Sequence, residues 1–133
     1  MIGVFLFISF NYFSFASATI EQMIKDHYDH MEKLYQDLHS HPELSGQEGR
    51  TASKLTEEMR SIGLDVQEKI GGHGIVGILK NGSGPVTLIR ADMDALPIEE
   101  LTGLKYKSQN KAVMHACGHD GHTAMLLAAA QHL

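Results

Sequence analysis

From Ile20 to Leu38 the apolar positions Ile20, Met23, Ile24, Tyr28, Met31, Leu34, Tyr35 and Leu38 recur at steps of three and four residues. That spacing lines one face of an amphipathic helix. Pro42 stops it, since a proline removes a backbone donor and clashes with the preceding turn. A second helical pattern covers Gly46 to Ile62 through Ala52, Leu55, Met59 and Ile62, and Gly63 stands where a left-handed C-terminal cap is wanted. The period then shortens. Val66 to Ile70 and Ile75 to Lys80 predict short strands, Asn81 to Pro85 a turn, and the mostly apolar run Val86 to Arg90 (VTLIR) a buried third strand. Leu104 to Val113 is less regular and is expected to cross the surface, and Gly121 to Leu133, rich in Ala, Leu and Met, predicts a last helix beside a histidine-rich loop. Two helices, three strands and a helix are the makings of a layered α/β domain.

The first 18 residues follow a different rule. Met1 to Ala18 carry no charge, open on a compact apolar run and end in Ala16-Ser17-Ala18, the small-x-small pattern that a signal peptidase accepts. The expectation is an export signal cleaved after Ala18, leaving a soluble mature chain from Thr19 to Leu133 in the periplasm, the secretory lumen or the medium. An uncleaved anchor or a buried first helix are the alternatives, but Ser9, Asn11, Tyr12 and Ser14 make the segment polar and short for a bilayer span.

Size and charge then narrow the function. A chain of 133 residues is one domain at most, and its net charge of −5 with no Lys/Arg block lacks the footprint that a phosphate backbone demands, so nucleic acid is excluded as a partner. With 43% hydrophobic residues it has material for a core. The single cysteine, Cys117, forms no internal disulfide. Against it stand nine histidines, and that skew asks for a chemical reason.

The densest cluster is His115-Ala116-Cys117-Gly118-His119-Asp120-Gly121-His122. In an extended loop the side chains of 115, 117 and 119 project to the same side, so Cys117 and His119 can reach one metal or two adjacent ones. Thiolate and imidazole favour zinc or a similar transition ion over calcium or magnesium. Any one of these histidines alone reads as solvated; so many ligand types within eight residues reverse that reading. His115, Asp120 and His122 are candidates for supporting roles.

Asp92 and Asp94 follow the apolar run, where the carboxyl edge of an α/β sheet builds sites. One of them can orient a metal-binding imidazole, and the equally available alternative is a turn in which Asp92 pairs with Arg90. Glu99 and Glu100 read as solvated loop charge. His39 and His41 are candidate ligands, but they end the first helix, where histidine is favoured by the dipole and bonds free carbonyls, and the structural role is the preferred reading. His27, His30, His73 and His132 mark no site. The rival reading of Cys117 is a thiol nucleophile with His115 or His119 as base and Asp120 as orienting group.

Arg90-Ala-Asp-Met-Asp-Ala-Leu-Pro-Ile98 followed by Met114-His-Ala-Cys-Gly-His-Asp-Gly-His-Thr-Ala-Met-Leu126 resembles the metal-dependent amidohydrolases that include hippurate hydrolase, bacterial N-acyl-amino-acid amidohydrolases and plant auxin-conjugate hydrolases, relatives of aminoacylase and carboxypeptidase G. The likeness also takes in Leu38-His39-x-His41-Pro42-Glu43-Leu44 and Gly71-Gly72-x-Gly74-Ile75-Val76-Gly77. It implies an α/β catalytic domain, a central mixed sheet flanked by helices, carrying two divalent transition-metal ions such as Zn, Mn, Ni or Co. Carried over, Cys117 and His119 match the family's first metal ligands and Asp94 its active-site aspartate, with Asp92 close by.

The same resemblance implies hydrolysis of the amide bond of small N-acyl amino acids by a metal-activated water. The family's glutamate pair, its remaining metal-binding histidines, and the lid domain that commonly carries a homodimer surface all correspond to positions beyond Leu133. The expectation is therefore the N-terminal part of such an enzyme, inactive by itself. The alternatives are a non-catalytic metal-binding or interaction fragment and a Cys117-dependent hydrolase.

Overall fold

The computed structural model describes residues 11–133, with side-chain surroundings from Ile20 onward. Helix α1 spans Asn11–Ser40, α2 Gly49–Ser61, strand β1 Asp65–Ile70, β2 Gly74–Ile78, and α3 His119–Ala130. The export signal read in residues 1–18 lies partly outside the described residues, and of 11–18 only the helical backbone is described. Among the described residues no helix is long and apolar enough to cross a membrane.

The core is where the apolar faces of three helices meet. Leu34 and Leu38 of α1, Leu55 of α2 and Leu127 of α3 are each 3% exposed or less, and Met31, Met59, Ile62, Ile75 and Met93 pack around them. Burial of such a leucine is worth about 1.5–3 kcal/mol. The apolar face of α1 is covered only over its second half. Ile20, Ile24 and Tyr28 are each 58% exposed, so the front of the predicted face is largely open, with Met23 half-buried.

Helix α2 ends as its sequence requires. Gly63 has φ +87°, the Gly63 N–H donates to Arg60 O and the Leu64 N–H to Met59 O at 3.1 Å, closing the last turn with a left-handed glycine. Its beginning was not legible: Glu48 makes no side-chain cap. Instead the Glu43 carboxylate accepts from the Arg50 and Thr51 N–H groups at 3.1 and 2.7 Å, so a negative group from the preceding turn satisfies the free donors at the positive end of the helix.

Strands β1 and β2 form an antiparallel hairpin, Asp65 opposite Ile78 and Gln67 opposite Val76, with an irregularity before Ile70. The predicted third strand does not form. Residues 86–90 are in no strand, and Val86 and Leu88 are 96% and 82% exposed. A strand needs a neighbour for its backbone groups, and no described segment lies alongside this one. Two isolated bridges take over further on, Leu44 with Ala95 in parallel and Leu96 with Met114 antiparallel. They clamp the loops on either side of the candidate site.

Candidate functional site

Helix α3 begins at His119, two residues earlier than its composition predicts. The loop is therefore not extended through 119. Gly118 sits at the N-cap with φ +79°, a left-handed conformation that glycine adopts without strain, and it turns the chain sharply between Cys117 and His119. Cys117 is free and exposed. His119 is part-buried, and its Nδ1–H donates to both the carbonyl oxygen and Oδ1 of Asp94, at 2.8 and 2.9 Å.

That contact fixes the tautomer. A neutral imidazole carries one hydrogen, so placing it on Nδ1 leaves the Nε2 lone pair available as a ligand. A carboxylate behind a histidine in this way orients the ring and raises its basicity toward a cation. Asp94 and His119, 25 residues apart in sequence, are brought together as the motifs anticipated. Asp92 is not brought to them. It accepts from Arg90 at 2.6 Å with the two side chains 49% and 80% exposed, while its backbone carbonyl receives the Thr123 hydroxyl. Its side chain has taken the turn alternative, facing solvent.

His115 is 5% exposed, and both of its ring nitrogens are buried without a hydrogen-bond partner. Burial pushes the imidazole below its ordinary value of 6.5; Asp120 opposes this, whereas His39 and His119 add to it. A polar ring so placed is costly unless something supplies a partner. His122 lies one turn along α3, its ring 6.3 Å from that of His119. Among the described residues no group of three or more histidine, cysteine, aspartate or glutamate side chains is arranged to hold an ion by itself. Cys117 and His119 fit a transition metal in donor chemistry, the Asp94 contact frees the right nitrogen, and the orphaned His115 marks the same region as wanting a polar guest.

Two residues read as unimportant turn out to be central. Glu100, expected to be solvated, is 7% exposed. It accepts from the Thr102 hydroxyl and from the Ser108 N–H at 2.5 Å. Burial acts to raise its carboxyl, but Ser108, Thr102 and His39 outweigh that and hold it below the ordinary carboxylate range. His39, expected to bond helix carbonyls, instead places Nδ1 2.6 Å from Asp120 Oδ2 and Nε2 3.3 Å from Glu100 Oε1. His41 does behave as expected, with Nδ1 2.8 Å from Asp37 O. No local sequence signal joins His39 to Asp120, because the pairing spans 81 residues.

Residues 88–133 match the sequence model of peptidase family M20/M25/M40. The hippurate hydrolase of Campylobacter jejuni is 48% identical over 103 residues, 77% of this chain and 27% of that one. An N-acyl-L-amino acid amidohydrolase of Geobacillus stearothermophilus is 48% identical over 95 residues, 71% of this chain and 26% of that one. In three dimensions the chain is similar to the Bacillus subtilis protein YXEP, described as a dinuclear metal binding peptidase, with a TM-score of 0.76 and 38% identity over 80% of this chain and 30% of that one. The chain thus spans about a quarter of the length of these curated relatives. Residues 88–133, which hold both loops, thus match peptidase family M20/M25/M40, and the chain resembles one part of such proteins.

Proposed function

We propose that this chain supplies one wall of a metal-dependent active site that hydrolyses the amide bond of small N-acyl amino acids, with Cys117 and His119 as ligands. The observation that carries the reading is the bond from His119 Nδ1 to Asp94, which leaves Nε2 free as a donor two residues along the chain from the exposed Cys117 thiol. Bound divalent cations would polarise the amide carbonyl and acidify a water. The chain's own part is to fix two donors of the soft, nitrogen-and-sulfur type on a loop clamped at Leu96–Met114 and at the start of α3. Asp94 sets the tautomer of His119. His115, Asp120 and His122 surround the donors without being assigned as ligands.

The names of the matched relatives support the substrate class. Among the described residues no group of three or more histidine, cysteine, aspartate or glutamate side chains is arranged to hold a metal ion, and we propose that the 133-residue chain alone does not turn over substrate. The test is a chimera in which this chain replaces the matched portion of the Campylobacter hippurate hydrolase. Hydrolysis of hippurate that is lost on chelation, restored by divalent metal and abolished by Cys117→Ser supports the reading. Hydrolysis that survives Cys117→Ser overturns it, and activity blocked by iodoacetamide yet indifferent to chelators would favour a thiol enzyme instead. Export is proposed from the uncharged Met1–Ala18 segment, and a secreted product whose first residue is Thr19 is the expected result.

A further inference from the structure

His39 lies in the last turn of α1, and its side chain is 6% exposed, between those of Asp120 at 3% and Glu100 at 2%. The rings of Tyr35 and Tyr106 close the cage, with centroids 5.7 and 5.5 Å from the imidazole. Both ring nitrogens lie within hydrogen-bond distance of carboxylate oxygens, Nδ1 of Asp120 and Nε2 of Glu100. Burying such groups costs desolvation that an apolar trio would avoid, so mere cohesion does not explain them. What an apolar trio lacks is direction.

The direction is specific. Asp120 directly follows His119 in the first turn of α3 and lies three residues after Cys117. Gly118 gives the intervening backbone a hinge at φ +79°. The loop is held by the Leu96–Met114 bridge before it and by Asp94 on His119, and the 2.6 Å contact from His39 Nδ1 to Asp120 is its anchor to α1.

Resting on the metal-centre reading above, we propose that His39 is a positioning residue: through Asp120 it sets the place of the Cys117–His119 donor pair, while touching neither metal nor substrate. The Nδ1 contact carries this role, and the Nε2 contact to Glu100 holds the ring in its cage.

The two halves separate by mutation, because the amide nitrogen of asparagine occupies the place of Nδ1 and that of glutamine the place of Nε2. In the chimera with the Campylobacter hippurate hydrolase described above, Zn2+ affinity by competition with a chromophoric chelator and protection of Cys117 from alkylation are measured for wild type, His39→Asn, His39→Gln and Asp120→Ala, each with a thermal melt. His39→Asn is expected to retain wild-type affinity and protection. His39→Gln and Asp120→Ala each lose about tenfold or more, the scale seen when a group supporting a ligand is removed, and the double variant loses no more than either alone. Equal affinities for the two His39 variants, whether both retained or both lost, overturn the proposal. Should His39→Gln fail to fold, Asp120→Ala decides: affinity lost with the melt intact supports the role, and affinity unchanged overturns it. A wild-type chimera without Cys117-dependent Zn2+ binding removes the metal-centre reading itself, and this inference with it.

Discussion

The Nδ1–H of His119 is shared between the backbone carbonyl and the carboxylate of Asp94, at 2.8 and 2.9 Å, across 25 residues of sequence. The carboxylate sets the basicity of Nε2, and the carbonyl sets the orientation of the ring. Asp94→Ala is therefore expected to lower divalent metal affinity toward the mild end of the roughly 10–100-fold range for loss of such a support, because the carbonyl remains. Chelator competition measures it. Asp94→Asn, which keeps an oxygen acceptor, should fall between that variant and wild type.

His115 gives the metal-free chain an acid sensitivity. Burial holds its pKa below the ordinary 6.5, so the unfolded chain takes up the proton first. Between 6.5 and the lower folded value the unfolded state binds more protons, so stability falls as pH falls through that window and levels off below it. His115→Leu removes two unpartnered buried nitrogens, each orphaned group costing about 1–3 kcal/mol. The variant is expected to raise the melting temperature of the metal-free chain and to flatten its slope on the acid side of pH 6.5.

A second sensitivity belongs to Glu58 on α2, bonded to His30 at 2.8 Å and to Lys54 at 2.8 Å with its own side chain 8% exposed. Burial acts to raise its carboxyl, but Lys54 and His30 outweigh it and leave the group below its ordinary 4.5. A depressed folded value means that the stabilisation is complete above 4.5 and is lost as pH drops through the folded value. Glu58→Gln should cost about 1–2 kcal/mol at neutral pH and remove that part of the acid limb, as read from urea unfolding at several pH values.

Val86, Leu88 and Ile89, 96%, 82% and 56% exposed, form an apolar extended run with unpaired backbone, the kind of edge that templates association. Leu88→Lys is expected to reduce concentration-dependent self-association in sedimentation velocity. Its effect on the melt should stay within about 0.5 kcal/mol, the usual range for a surface change.

The legible parts of this chain were those set by local pattern. The helices, the hairpin and the Gly63 cap followed from periodicity and turn chemistry, and the partnership of Asp94 with the His119 loop followed from two motifs whose donor types demand company. Three readings failed because the deciding partner was distant. Glu100 reads as one more loop charge until Ser108, Thr102 and His39 are seen around it. His39 reads as a helix-end histidine bonded to free carbonyls until Asp120 and Glu100 are seen beside it. The run from Val86 to Arg90 has the composition of a buried strand, yet burial depends on a neighbour, which composition does not supply.

Everything chemical here rests on a sulfur and a nitrogen converging on one cation, and Co2+ titration of the metal-free chimera with the Campylobacter hippurate hydrolase reports on both at once. Wild type should develop a thiolate-to-metal charge-transfer absorption together with visible bands of a low-coordinate ion. Cys117→Ser should lose the first and His119→Ala should shift and weaken the second. Absence of the charge-transfer band in wild type, or its persistence in Cys117→Ser, would contradict the account.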